Sequence, residues 1–242
     1  MLNNSRKLET VSKKIISIHQ PNYIPWLGYF YKIYLSDIFV FLDDVQFSNE
    51  GMHNWHYIKT PQGPLRIKVP VQQKLGDKIN EVHTRDELGW KGKHLKTIEI
   101  NYKKAVYFNE IFDEFSTLLL QSYPDLASMN KCFITHYCKR FGIHTRLTES
   151  SSFNIHASRE QKVIEIVKAL GGTDYYSGMG AKEYQKEDSF LKRNISLTYI
   201  QYKPFEYKQL WGSFHANVSV LDYLMNCGYN WDAVIRSQIT EF

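Results

Sequence analysis

The sequence predicts an α/β protein whose mostly parallel sheet carries helices on both faces. Two short β-rich runs, 15–18 and 38–42, are separated by one amphipathic helix, and this spacing suits a parallel crossover. A second set of alternating strands and helices begins near Thr145, while residues 90–141 have helical periodicity throughout. The prediction is therefore a Rossmann-like sheet with a helical insertion in the middle.

The first half of the chain alternates apolar strands with one helix. The run 15–18 ends at a proline, helical spacing resumes at Trp26, and the run 38–42 is closed by two aspartates. A turn with two prolines precedes a third predicted strand, 65–69. The predicted helices of the insertion are 90–102, 107–120 and 127–141.

The second half repeats the alternation. A short strand at 145–148 precedes a helix whose start, Ser158 with Gln161, has the capping-box pattern. The remaining predicted elements are a strand at 174–178, a helix at 181–193, a strand at 195–202 and a final helix at 218–227. We expect residues 1–14 to be a flexible tail and residues 15–242 to form a single α/β domain.

Composition narrows the function. The net charge is +5 without a run of basic residues, which argues against a dedicated nucleic-acid binder and suits an anionic small substrate. Aromatic residues reach 15%, which fits either a ring-rich core or a cleft that stacks on sugars or nucleobases. Three cysteines without a CxxC pair disfavour disulfides and a cysteine-rich zinc site. No apolar run is long enough to span a membrane and no signal peptide is visible, so we expect a cytoplasmic protein.

The strongest candidate site is the proline-containing segment after the first strand. Ligands of open α/β sheets bind beyond the carboxyl ends of the strands, and a helix N-terminus there could hold a phosphate. His19 supplies a titratable ring and Gly28 lets the helix pack closely, although a structural histidine that pins the loop is an alternative. We expect His19 to be catalytic and the following residues to bind substrate: Gln20, Asn22, Tyr23 and Trp26.

A second candidate is the acidic pair Asp43 and Asp44 at the end of the second strand. Such carboxylates can bind a metal, accept sugar hydroxyls or act as a general base, but a turn cap is an equal alternative. Adjacent strand positions face opposite sides, so one of the two is expected in the site. Both are candidate catalytic residues, and the nearby candidate substrate contacts are Gln46, Asn54 and Lys59.

Two further segments could bind phosphate. His94 could be a second acid or base or could pack in the core, and its helix carries Lys93, Lys96 and Thr97 as a basic edge. Ser177 and Lys182 flank a short glycine loop in which backbone N–H groups and an ammonium could converge on an anion. The loop lacks the P-loop spacing. The motifs GxSxG, HExxH and GxGxxG are absent, and we predict no metal site.

The chain resembles the WbqC-like protein family from about residue 15 to residue 228. The most specific block, HQPNYIPWLGYF, begins at His19. The segments that carry the resemblance are 19–30, 39–47, 58–60, 93–98, 107–108, 176–178 and 219–228. One departure is that Trp55 and Tyr57 stand where the family typically has arginines. Since arginine binds phosphate or carboxylate bidentately, this departure predicts a changed substrate.

The resemblance implies a role in building bacterial O-antigen, the lipopolysaccharide surface glycan. It suggests transfer of an acyl or aminoacyl group to the amine of a nucleotide-linked amino sugar. A coenzyme A ester or a carrier-protein thioester is the implied donor, which makes an acyl carrier protein a candidate partner. Neither nucleic-acid binding nor membrane insertion is expected.

Two other functions stay open. A nucleotidyl-transfer or adenylate-forming enzyme would consume ATP, although the HxGH spacing of the nucleotidylyltransferases is missing. A non-catalytic sugar-nucleotide-binding protein is the other alternative. It would be favoured if His19, Asp43 and Lys59 lay far apart and shared no cleft.

Overall fold

The computed structural model describes residues 12–239, and most of the predicted tail, 1–11, lies outside them. The strands are β1 (Ile15–His19), β2 (Ile38–Phe41), β3 (Trp55–Thr60), β4 (Gly63–Lys68), β5 (Val71–Gln72), β6 (His83–Thr84), β7 (Arg146–Glu149), β8 (Asp174–Gly178) and β9 (Ser196–Ile200). The α-helices are α1 (Leu27–Tyr34), α2 (Trp90–Tyr102), α3 (Phe108–Leu119), α4 (Leu126–Arg140), α5 (Arg159–Ala169), α6 (Glu187–Leu191), α7 (Val220–Cys227) and α8 (Trp231–Gln238).

Five strands form one parallel sheet in the order β7-β2-β1-β8-β9. The chain moves outward from β1 to β2 and β7, then returns to the other side of β1 for β8 and β9. The strand order therefore reverses between β1 and β8, which makes their carboxyl ends the topological switch point of the sheet. This arrangement confirms the predicted Rossmann-like α/β class.

Helices cover both faces of the sheet because alternate strand residues point to opposite sides. Phe39 and Phe41 of β2 belong to the larger apolar core, which also takes in α1, the insertion helices α2 to α4, and α7. Ile38 and Val40 belong to a smaller core with α5 and Phe190 of α6. The helical insertion is thus confirmed, and it packs on the β2 face that carries the phenylalanines.

Antiparallel pairs precede the insertion. The segment that follows Asn54, for which no strand was predicted, is a strand from Trp55 onward and pairs with β4 along its whole length. The pair β5–β6 is shorter, with Val71 opposite Thr84. Trp55, Ile58 and Thr60 favour a strand in β3, whereas β5 and β6, with two residues each, are too short to be predicted from the sequence.

Three local predictions were wrong. The helix predicted at 181–193 is reduced to α6, and its first part is a turn. The Ser158 side chain does not cap α5 by hydrogen bonding. A further helix, α8, follows the one predicted to be last, and its N-cap is Asn230, whose side chain accepts the Ala233 N–H. Within residues 12–239, no helix combines the length and apolar character needed to cross a membrane.

Candidate functional site

A crevice opens at the switch point between the ends of β1 and β8. It contains two cavities of about 360 Å³ each, which share His19, Lys32, Gly178 and Gly180 in their walls. The segment after β1 forms one side and the glycine loop after β8 forms the other. No acidic residue lines either cavity in the described part of the chain.

His19 is the last residue of β1 and lies half-buried in this crevice. Its Nδ1 is 3.0 Å from the carbonyl oxygen of Gln20. A carbonyl can only accept, so the contact requires the proton on Nδ1 and leaves the lone pair on Nε2. Burial, followed by the positive charge of Lys32, lowers the pKa of His19 to about 3. The imidazole is therefore neutral at physiological pH.

Lys32 lies on α1 and is buried, with 6% of its surface exposed. Its Nζ donates to the carbonyl oxygen of Ile18 at 2.8 Å. Burial lowers its pKa to about 7. Sequence reasoning missed this residue, although a signal existed: Lys32 follows Gly28 by four positions and therefore shares the helix face that meets the end of β1.

Aromatic rings form another wall of the crevice. Trp26, Tyr29 and Tyr202 line it, and the Tyr29 hydroxyl donates to the Gln20 carbonyl at 2.9 Å. Gly28 is required here, because an added Cβ would lie 2.6 Å from Nε1 of Trp26 and 2.9 Å from Cδ1 of Tyr202. The glycine thus allows the two rings to approach α1.

The loop between β1 and α1 is strained and is held by its neighbours. Ile24 has a φ of +36°, which is costly for a β-branched residue. The backbone N–H of Tyr23 donates to the Met52 carbonyl at 3.0 Å. Asn130 of α4 donates to the Pro21 carbonyl at 3.0 Å and to the His53 carbonyl at 2.7 Å. These bonds fix the loop against the segment 51–56.

That segment holds several buried polar atoms without a hydrogen-bond partner among the described residues. Both ring nitrogens of His53 and the side-chain oxygen of Asn54 are in this state, as is the side-chain oxygen of Asn130 in α4, which binds the segment. His53 also lies close enough to His19 to contribute to its low pKa. Such groups are rare in native structures, since each costs about 1–3 kcal/mol.

Asp43 and Asp44 lie in a separate cluster at the ends of β2 and β7. Asp43 accepts from Lys131 of α4 at 2.9 Å and from the Ser151 N–H at 3.1 Å. Asp44 accepts from Lys162 of α5 at 2.6 Å. Burial opposes ionisation, yet hydrogen bonds from Lys162 and Ser150 hold the pKa of Asp44 below its usual value. The two carboxylates point to opposite faces of the sheet, as expected for adjacent strand positions. Each accepts a hydrogen bond from a lysine on its own face.

Lys59 belongs to a third cluster beneath the segment 201–219. Its Nζ donates to Gln209 Oε1 at 2.9 Å and to the Ser213 carbonyl at 2.6 Å. Its backbone N–H donates to the hydroxyl of Tyr102, which in turn donates to Asp222 at 2.9 Å. Burial raises the pKa of Asp222. Lys59 therefore anchors the C-terminal segment and lines neither crevice cavity.

The other predicted site residues are dispersed. His94 is buried, with Nδ1 3.0 Å from the Tyr23 hydroxyl and Nε2 3.2 Å from the Lys68 carbonyl. Asn22 is also buried, and Asn54 donates to the Val69 carbonyl. The Thr97 hydroxyl donates back to its own helix, at the Lys93 carbonyl. The exposed members are Gln46, Lys93, Lys96 and Lys182.

The crevice brings together four of the predicted site residues. His19, Gln20 and Trp26 come from the proline-containing segment after β1, and Ser177 comes from the end of β8. Ser177 donates to Gln185 at 2.8 Å, which ties the glycine loop to the chain after it. The buried Trp55 lies under the guanidinium of Arg66 from β4, which is 4.0 Å from the ring centroid.

The fold and the crevice define an α/β protein with a cavity free of acidic side chains at the switch point of its parallel sheet. Within that class, the chain belongs to the WbqC-like protein family, whose sequence model matches residues 20–233. The chain is also similar to the uncharacterized protein Rv1507c of Mycobacterium tuberculosis. The two are 36% identical over 219 residues, which cover 89% of this chain and 94% of the relative. No solved structure matches the chain.

Proposed function

We propose that this protein transfers an acyl or aminoacyl group to the amine of a nucleotide-linked amino sugar, in the crevice between β1 and β8. The observation that carries the proposal is the pairing of a neutral histidine, His19, with a buried lysine, Lys32, in a cavity without acidic walls. Perturbed titratable groups in a cleft are typical of catalytic sites. The resemblance to WbqC-like proteins supports a role in O-antigen assembly.

The chemistry needs a proton acceptor at the attacking amine. The sugar nitrogen attacks the carbonyl carbon of the thioester, and the new C–N bond forms as the nitrogen gives a proton to Nε2 of His19. The C–S bond then breaks, and the imidazolium returns the proton to the leaving thiolate. The hydrogen bond from Nδ1 to the Gln20 carbonyl keeps the lone pair on Nε2 until the amine gives up its proton, and it persists in the imidazolium.

An anionic substrate would strengthen His19 as a base. After burial, the charge of Lys32 is the next cause of the low pKa of His19. A phosphate bound beside Lys32 would offset that charge and raise the pKa of the imidazole toward its ordinary value. Base strength would therefore depend on the substrate being bound, which limits wasteful reaction of the donor with water.

The aromatic wall suits the rest of such a substrate. Trp26 and Tyr202 lie side by side across Gly28, and their faces can stack on a sugar or a nucleobase. The opposite wall, around Gly178 and Gly180, is open, because a Cβ on either glycine would meet no atom within 4 Å. The crevice thus has an apolar side and an open side.

The test is a transfer assay with uridine- and thymidine-diphosphate-linked amino sugars and a panel of acyl and aminoacyl thioesters. Mass spectrometry follows the acylated sugar, and a thiol reagent follows the released thiol. The His19→Ala variant is expected to lose about 100-fold or more in turnover, as general-base removal does. The matched control is His83→Ala, which removes an exposed histidine outside the crevice. Full turnover by His19→Ala on an accepted substrate would rule out the base assignment.

One observation favours a second candidate, a non-catalytic sugar-nucleotide-binding protein. His19, Asp43 and Lys59 lie in three separate clusters, so the three residues share no cleft. The same assay separates the two functions. Saturable binding of a nucleotide-linked amino sugar without product from any donor supports the binding protein, and product formation supports the transferase.

A further inference from the structure

A buried lysine without a carboxylate partner is the least explained charged group of the crevice. Lys32 makes no salt bridge within residues 12–239, and its Nζ hydrogen bond goes to the Ile18 carbonyl. An ammonium has three N–H donors, so two remain after this bond. Burying a charge without an opposite charge is expensive, and native proteins seldom do so unless a ligand completes the site.

We propose that Lys32 is the receptor for a diphosphate group of the crevice ligand and that it takes up a proton when this group binds. The proposal deepens the proposed function, since the diphosphate is that of the nucleotide-linked sugar. Lys32 lies in the walls of both cavities, between His19 and the glycine loop 178–180. Phosphate oxygens are strong acceptors for the two ammonium protons that the protein leaves unused.

The crevice has room for a group of this size and charge. Each cavity is about 360 Å³, and the open surfaces of Gly178 and Gly180 face the same space as Lys32. Acidic residues, which would repel a diphosphate, do not line these cavities in the described part of the chain. In the neighbouring cluster, the carboxylate of Asp44 is already held by Lys162.

Proton uptake follows from the state of Lys32 before binding. Burial lowers its pKa to about 7, so a large fraction of the amine is neutral above neutral pH. A diphosphate would raise this pKa and draw a proton from solvent. Affinity should therefore fall as the pH rises from about 7 toward 9, where protonating the amine becomes costlier.

Few other groups around Lys32 can take this proton. The titratable side chains that line the cavities with it are His19 from β1, Tyr29 from α1, Tyr175 from β8, and Tyr184 and Tyr202 from the segments after β8 and β9. Burial holds the pKa values of Tyr29, Tyr175 and Tyr202 above the ordinary tyrosine value, so these hydroxyls stay protonated. His19 is the one competing acceptor, and the test below separates it from Lys32.

The test is isothermal titration calorimetry with uridine diphosphate as the probe. Titrations in two buffers of different ionisation enthalpy give the number of protons taken up per ligand bound. At about pH 8 we expect uptake of about 0.5–0.9 proton by the wild-type chain. Lys32→Arg keeps the charge but cannot titrate, so it should bind within about tenfold of wild type with most of the uptake lost. Lys32→Met should bind about 10- to 100-fold more weakly.

Two control variants test whether another lysine or His19 accounts for the binding or the proton uptake. Lys104→Met removes an exposed lysine that follows α2 and lines neither cavity, so it should leave affinity and proton uptake unchanged. His19→Ala should keep the uptake, since the proton goes to Lys32. Wild-type uptake in Lys32→Arg, wild-type affinity in Lys32→Met, or no binding of uridine diphosphate by the wild-type chain would each overturn the proposal.

The outcome is independent of the transfer reaction. Proton-coupled binding of uridine diphosphate without any acylated product would retain the diphosphate receptor and remove the transferase. Acyl transfer with unchanged kinetics in Lys32→Met would retain the transferase and remove the receptor.

Discussion

Lys32 and Lys162 are equally buried, with 6% and 5% of their surfaces exposed, yet their surroundings differ completely. Lys162 donates to the carboxylate of Asp44 at 2.6 Å, whereas Lys32 donates to the Ile18 carbonyl. Both lie on helices beside the carboxyl edge of the same sheet. Lys162 therefore has an internal counter-charge and belongs to the scaffold, whereas Lys32 keeps two unused N–H donors in the walls of the crevice cavities, where a ligand can accept them.

The same contrast extends to their neighbours. Around Lys162, the carboxylates of Asp43 and Asp44 accept from lysines and from the serine residues 150 and 151. On the His19 side, His53 keeps two ring nitrogens without a partner within the described residues. A satisfied polar network rigidifies a fold, whereas an unsatisfied one stores free energy that a ligand can release.

The largest expected effect is on stability, in two matched substitutions. Lys162→Met should lower the free energy of unfolding by about 3–5 kcal/mol, because it leaves the Asp44 carboxylate buried without its cation. Lys32→Met should raise it by on the order of 2 kcal/mol at neutral pH, because burial penalises this ammonium and a methionine is not charged. Urea denaturation monitored by circular dichroism measures both. Destabilisation of similar size in both variants would contradict the comparison.

The next effect is a loss of stability on acidification. Buried histidines cause it first, and the carboxylate cluster contributes only at lower pH. Burial lowers the pKa values of His53, His56 and His94 to about 4. The folded values lie below the unfolded one, so their contribution is complete above the unfolded pKa of 6.5 and declines as the pH falls toward 4. Each should cost about 2 kcal/mol at pH 5.

The carboxylate cluster responds at lower pH. The pKa of Asp44 in the folded protein is lower than the ordinary aspartate value of 3.8, so its contribution to stability is present above that value and declines as the pH falls below it. Unfolding free energy measured against pH should therefore fall first between about 6.5 and 4. A curve that is flat in that window would show that these histidines are not buried in their neutral form.

A smaller effect is expected at His53. His53→Leu removes two unpartnered buried nitrogens and replaces the ring with an apolar side chain of similar size. We expect the free energy of unfolding to stay level or rise by about 1 kcal/mol. We also expect turnover to fall, because the His53 ring contributes to the electrostatic environment of His19. Thermal denaturation and the transfer assay check the two parts. The control is Phe47→Leu at the neighbouring ring, which should lose about 1–2 kcal/mol.

The smallest effect concerns the basic edge of α2. Lys96 is exposed and pairs with Glu99 at 3.0 Å on the same helix. Exposed pairs of this spacing contribute about 0.3–0.5 kcal/mol. Lys96→Ala should therefore leave both stability and uridine diphosphate binding near the wild-type values. A large loss of binding would move the phosphate contact from the crevice to α2.

Much of the fold follows from local sequence. The apolar runs of β1 and β2, the helix between them and the insertion helices all carry their own periodicity, so their bounds were predictable within a few residues. The element β3 was missed although Trp55, Ile58 and Thr60 are of types that favour strands, and its pairing with β4 is what identifies it. The helix predicted at 181–193 was too long, because residues 182–184 are exposed and bury no helix face, whereas Phe190 of α6 is buried.

The candidate site was predictable only in part. The proline-containing segment pointed to the end of β1, and the switch-point rule pointed to a crevice there. The lysine partners of Asp43 and Asp44 were not predictable from the sequence, because Lys131 and Lys162 lie 88 and 118 residues away in the chain. Lys32 was overlooked because a lysine on an amphipathic helix ordinarily faces water.

The most direct test is a crystal soaked with a uridine-diphosphate-linked amino sugar. The account predicts electron density between β1 and β8, with the diphosphate beside Nζ of Lys32 and the sugar amine toward His19. Density instead in the cavity of about 450 Å³ beside Asp44, Lys78 and His156 would contradict it, since that site belongs to the cluster assigned here to the scaffold.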